Sequence, residues 1–381
     1  MALINGQSGD ESITGTNQAD EIHGLGGNDG INGGAGDDIL FGEDGDDFLT
    51  GSTGNDQLYG GLGRDTLYGN GGINLLDGQE GNDVLISDAS ADTLRGGDGN
   101  DRLFGRDGND ILIGNAGNDR FLGGAGNDTV AGGDGDDDIR GDRVSAEFDV
   151  IPSSGGDDYL TGGGGDDLIY GEWGTDRIDG GDGNDELWGG FTGQDVLTGG
   201  AGDDLITGGS EGDVIFGAVG NDVIIGDGDP NRPDGADRLF GGLGDDEIRA
   251  GGGADIVDGK AGIDRMNGDG GDDIMTGGDG DDILDGGSGN DQINGQAGND
   301  SMTGGAGSDL FIVLRSGGDQ DTITDFNAES GDKISLRGNG NTVENAIANA
   351  AVVEGNTVVN LGFNHTLTIT GETGINANWF G

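Results

Sequence analysis

GGDGNDRLFGRDGNDILIGNAGNDRFLGGAGNDTVAGGDGDDDIRG, residues 96–141, says one phrase five times. Asp101, Asp110, Asp119, Asp128 and Asp137 stand nine residues apart, each with a Gly two positions before it and an apolar residue two positions after. The register extends outward to Asp20, Asp29, Asp38, Asp47, Asp56, Asp65, Asp83 and Asp92 on one side. On the other it resumes at Asp158, Asp167, Asp176 and Asp185, then at Asp195, Asp204, Asp213 and Asp222. A last run holds Asp237, Asp246, Asp255, Asp264, Asp273, Asp282, Asp291, Asp300 and Asp309. With Glu11 and Asn74, which hold the phase with a different residue, there are 32 units. The preceding Gly is missing only at Gln18, Ser90 and Glu211.

Composition alone argues for disorder. Of 381 residues, 31% are hydrophobic and 5% aromatic, while 93 Gly and a formal net charge of −59 leave little for a conventional core. The phase argues the other way, because a solvated acidic tract has no reason to keep an apolar residue at one position of every unit. The 16 Lys and Arg are scattered singly, which excludes a nucleic-acid surface. With no Cys, disulfides and thiolate metal sites are excluded as well. No stretch approaches the 18 apolar residues of a transmembrane segment, and MALINGQSGDESITG lacks the basic and apolar regions of a cleaved leader.

Glycine in such numbers supplies tight turns, and an apolar residue flanked by two polar ones suits a very short strand. A six-residue turn and a three-residue strand fill the nine. One strand cannot bury its side chain alone, so the units must coil two to a circuit and stack. The pattern predicts an all-β protein, a parallel β-roll (β-solenoid) with a narrow apolar seam. Stacked turns lie about 4.8 Å apart, and like charges at that spacing repel by roughly 1 kcal/mol per pair even in water. Residues 1–309 carry 67 acidic and 13 basic groups. Carboxylates and turn carbonyls are hard oxygen donors, so Ca²⁺ is the expected cofactor, on the order of 20 to 30 ions held by the 30 register aspartates.

These units resemble the Gly-Gly-x-Gly-x-Asp-apolar-x repeats of the RTX, or hemolysin-type calcium-binding, family. The resemblance covers residues 6–311 and implies that each Asp shares an ion with the turn two units on, Asp29 with Asp47 and Asp101 with Asp119. Two repeat blocks are expected, 6–140 and 158–311, separated by a loop insertion at 141–157. The second block carries smaller insertions near Phe191, read as a bulged turn, and at 227–234. Residues 312–381 change character: DTITDF, DKISL, TVVNL and TLTIT alternate like antiparallel strands, and 342–353 has the Ala content of a short helix. This is expected to be a small α+β cap. It also resembles the serralysin-like C-terminal region of type I secreted proteins, which implies an uncleaved export signal, passage through a type I exporter and an extracellular or cell-surface location.

The usual equipment of catalysis is thin. His23 and His365 lie 342 residues apart and read as outward strand-edge residues, and no His-Glu-x-x-His occurs. Gly208-Gly209-Ser210-Glu211-Gly212 matches a lipase nucleophile elbow but falls inside a repeat. The expectation is a secreted, non-enzymatic calcium-binding protein that folds on Ca²⁺, structural or associated with a surface or matrix, with polysaccharide or the cell surface as a further partner. The rival is an accessory module of a secreted protease, lipase or epimerase, or an adhesin.

Overall fold

The computed structural model describes residues 2–142, 155–227, 235–314, 318–337, 343–362 and 364–380. Most of the two longer insertions expected at 141–157 and 227–234 lies outside the described residues. The chain divides into two compact units, Met1–Val196 and Leu197–Gly381.

In the first unit, alternate repeats feed two parallel sheets. Thr93–Asp98 pairs in parallel with Ile111–Ala116 and that strand with Thr129–Asp134, each step advancing 18 residues. Arg102–Asp107, Arg120–Ala125 and Asp138–Asp142 do the same in the second sheet. The side chains two after each register position, Leu94, Leu103, Leu112, Phe121 and Val130 among them, are buried and form the seam. Successive side chains of a strand point to opposite faces, so their neighbours, such as exposed Ile111, face outward. Many strands span six residues instead of the expected three. Identical backbone stacks at every circuit, so the start of the next turn pairs too, Gly97 with Asn115 and Asp98 with Ala116.

Register survives each interruption. Thr129–Asp134 pairs with Tyr159–Gly164 at a step of 30, so the extra 12 residues leave the stack without shifting it. Between Leu168–Trp173 and Glu186–Thr192, Glu172 faces Gly190 and Trp173 faces Thr192, which makes Phe191 the extra residue of a bulge.

The second unit repeats this plan from Leu205–Gly209 and Val214–Val219 onward, with Val214–Val219 pairing to Arg238–Leu243 at a step of 24. The end of the roll corrects the sequence reading. Gln320–Ile323 and Lys333–Arg337 are parallel rungs, paired with Ser301–Thr303 and Leu310–Leu314, not strands of an antiparallel cap. Their turns have lost the glycine spacing, which hid them. Antiparallel pairing begins with Ala350–Val353, Asn356–Gly362 and His365–Ile369, the last of which lies parallel against Gln320–Ile323. The helix is a single short piece, Val343–Ala348. Trp379 packs on Phe326, which packs on Phe311, closing the seam of this unit. Among the described residues no helix is long and apolar enough to cross a membrane.

Candidate metal centres: two ladders of buried aspartates

All 30 register aspartates are almost fully buried, none more than 3% exposed. Within each unit one bond recurs along these aspartates: the backbone N–H of one donates to Oδ1 of the residue one circuit on. Asp29 N to Asp47 Oδ1 and Asp101 N to Asp119 Oδ1 are both 2.7 Å. Around the first insertion Asp128 N reaches Asp158 Oδ1 and Asp137 N reaches Asp167 Oδ1, both at 2.7 Å. Around the second, Asp213 N reaches Asp237 Oδ1 at 2.7 Å and Asp222 N reaches Asp246 Oδ1 at 2.8 Å. Each unit thus carries two ladders, one along each row of turns.

The second oxygen tells turns apart. At Asp29, Asp47, Asp65, Asp83, Asp101, Asp119, Asp246, Asp264, Asp282 and many others, Oδ2 is buried and accepts no hydrogen bond. It sits over the first glycine of its own turn, where a Cβ on Gly96 would fall 2.2 Å from Asp101 Oδ2. The carbonyls four and two residues before each aspartate aim at the next turn: a Cβ on Gly97 would fall 1.9 Å from Gln79 O, and one on Gly99 1.5 Å from Gly81 O. The second of these contacts recurs at the position two before the aspartate, which is Gly in all but three units. The position four before it was not singled out by the spacing, yet its φ is positive whether it holds Gly97 (117°) or Gln79 (76°), Arg106 (73°) or Lys260 (78°).

Buried acceptors facing other acceptors are costly unless a donor or cation joins them. Desolvation accordingly pushes the carboxyls up, Asp47 and Asp56 to about 6, Asp101 to about 6, Asp110 to about 8 and Asp176 to about 9. The donor set is all oxygen, with charge from the carboxylate and geometry from the carbonyls, and this fits Ca²⁺. No group of three or more His, Cys, Asp or Glu side chains converges among the described residues.

At the ladder ends the protein supplies the donor itself. Gln7 N donates to Glu11 Oε2 (2.7 Å) and Thr16 N to Asp20 Oδ2 (2.6 Å). The Thr16 amide holds the Asp20 carboxyl below its ordinary range, against the trend of the ladder. Beyond Asp309 the ladders run on through two residues the spacing missed: Asp300 N approaches Asp321 Oδ1 (3.4 Å) and Asp309 N donates to Asp332 Oδ1 (3.1 Å). Asn327 N then closes Asp332 Oδ2 at 2.7 Å. His365 Nε2 lies 2.9 Å from Asp321 Oδ2, and the imidazole is completely buried, which corrects its reading as an outward edge residue. His23 is half-buried, stacked on Phe41 and hydrogen-bonded to Glu43 and Glu21. Ser210 follows the strand Leu205–Gly209 and precedes Val214–Val219, so it occupies a roll turn and lacks the strand-to-helix setting of a nucleophile elbow.

Buried carboxylates repeated at every circuit of a parallel β-roll define a calcium-binding solenoid. The family model for the RTX calcium-binding nonapeptide repeat matches residues 5–40, 41–76, 77–112, 113–143, 153–187, 189–224, 234–266, 258–293 and 276–311, and the chain belongs to that family. No curated protein matches it. Among solved structures it is similar to a hyperactive, Ca²⁺-dependent, β-helical antifreeze protein from an Antarctic bacterium. That match has 15% identity over 88% of this chain and 85% of the other, with a TM-score of 0.24. Another is the extracellular lipase LipA from Serratia marcescens, at 16% identity over 72% of this chain and 44% of that one, with a TM-score of 0.19.

Proposed function

We propose that the chain is a secreted calcium-binding β-roll protein that folds when it meets Ca²⁺ outside the cell, with a structural role at a surface or in a matrix and no catalytic one. The register aspartates are its ligands through Oδ2, together with the turn carbonyls four and two residues before each. The observation that carries this reading is the row of buried, donorless Oδ2 atoms. When bound, Ca²⁺ would supply the charge that lets these oxygens share a dry turn. Their number falls short of the 30 register aspartates, since Asp20 already spends Oδ2 on a backbone amide. In calcium-poor cytoplasm the net charge of −59 keeps the chain extended, which suits passage through an exporter. Residues 312–381 complete the roll and carry the export signal in this reading.

The test is a calcium titration followed by far-UV circular dichroism. The expected result is a cooperative rise of β signal that chelator reverses. A full β signal in chelator at neutral pH would overturn the proposal.

A further inference from the structure

Asn74 keeps the phase of the repeat, and its carboxamide occupies the place of the neighbouring carboxylates. Its Oδ1 accepts the Asp56 N–H at 2.9 Å and its own N–H donates to Asp92 Oδ1 at 2.6 Å, so the ladder passes through it unbroken. The difference lies at the second atom. A Cβ on Gly69 would fall 2.8 Å from Asn74 Nδ2, the same seat over the first glycine that Oδ2 holds elsewhere. From it, Nδ2 donates to Asn70 O and Gly72 O, each at 3.0 Å. Those are the carbonyls four and two residues before the register position. In the aspartate turns the atom over the first glycine is an oxygen with no donor; here a nitrogen with two protons reaches both carbonyls.

We propose that the Asn74 carboxamide takes the place of a calcium ion, so that turn 69–74 closes without metal inside a ladder that otherwise requires it. This rests on the reading that the aspartate turns bind calcium. The next turn of the same ladder is built to a related end by other means. Ser87 and Ser90 replace two of its glycines, the Ser87 hydroxyl donates to Gly105 O, and Asp88 N approaches Asp92 Oδ2 at 3.5 Å. Turn 69–74 therefore satisfies itself with protein donors, and in the turn after it a backbone N–H approaches the carboxylate oxygen that is without a donor in most other turns. The two divide one ladder of the first unit into two calcium-loading stretches, joined by a step whose geometry is set before the ion arrives.

The experiment counts ions on the full chain by native mass spectrometry at saturating Ca²⁺. Asn74→Asp restores an open turn and is expected to carry at least one ion more than the wild type. Asp83→Asn installs the carboxamide above Gln79 O and Gly81 O and is expected to carry at least one fewer while keeping the β circular dichroism of the loaded protein. A loaded wild type with an unchanged count in Asn74→Asp, or an unchanged count in folded Asp83→Asn, overturns this inference alone. A wild type that holds no calcium overturns the calcium reading and this inference with it.

Discussion

Gly99 and Gly164 differ by a few ångströms of free space, and that difference says which glycines the repeat requires. A Cβ on Gly99, whose φ is 134°, would fall 1.5 Å from Gly81 O, a backbone atom that cannot swing aside. One on Gly164 would meet nothing nearer than Asp134 Oδ1 at 4.0 Å. Gly99→Ala is therefore expected to cost about 2 kcal/mol or more through strain and lost contacts. Gly164→Ala is expected to change stability by less than about 0.5 kcal/mol. Denaturant unfolding of the calcium-loaded protein checks both, and equal effects would contradict the account of the turn. The glycine two before the aspartate was legible because its steric requirement holds in all but three units, where Gln18, Ser90 and Glu211 stand instead. The left-handed position four before it was not, because Gln79, Arg106 and Lys260 also adopt that conformation and so hide it in a varied column.

Strands in this fold owe their existence to neighbours, since each buries little more than one side chain. Leu103 is fully buried against the opposite sheet, whereas Ile111 one strand on is 44% exposed. Leu103→Ala is expected to cost about 2–5 kcal/mol, and Ile111→Ala less than about 0.5 kcal/mol. Because each circuit contacts mainly those beside it, the loss should appear as local hydrogen-exchange exposure around residues 84–122 before it appears elsewhere. Uniform exposure across the chain would contradict that. The same dependence explains which elements could be read in advance. The seam was legible at every repeat, as Leu94, Leu103, Leu112, Phe121 and Val130 follow from the spacing alone. The last two parallel rungs were not. Asp321 and Asp332 stand 12 and 11 residues after their predecessors in the chain and lack the glycine pattern, yet their backbone sees the same unpaired strand edge as any rung and pairs with it. Local alternation in DTITDF and DKISL does not distinguish parallel from antiparallel partners; the edge on offer decides. His365 was beyond reach for a related reason: its partner Asp321 is 44 residues away, and only the antiparallel return strand brings them together.

At the scale of the whole molecule, the proposed function makes stability a contest between protons and calcium for the same oxygens of the ladders. Without calcium, burial raises the register carboxyls from an ordinary value near 3.8 to about 6 at Asp56 and Asp282, about 7 at Asp83, Asp128 and Asp246, and about 8 at Asp110. A group whose pKa is higher folded than unfolded binds more protons in the folded state. It therefore stabilises the fold fully below about pH 3.8 and ceases to as pH rises through its folded value. Many such groups titrate together, so the calcium-free chain is expected to gain β structure as pH falls from about 8 toward 4, the proton standing in where the cation is missing. In the proposed reading calcium reverses the dependence, because a carboxylate that serves as ligand must release its proton on loading. The calcium midpoint of folding should move to higher concentration as pH is lowered from about 8 to 6, while the β signal in chelator moves the opposite way. Far-UV circular dichroism across a pH series, with chelator in one arm and calcium in the other, measures both. A calcium-free chain that stays unfolded at pH 4 would show that proton binding by the buried ladders does not compensate the entropy of ordering the roll. A calcium midpoint independent of pH would show that the titrating carboxylates are not the ligands.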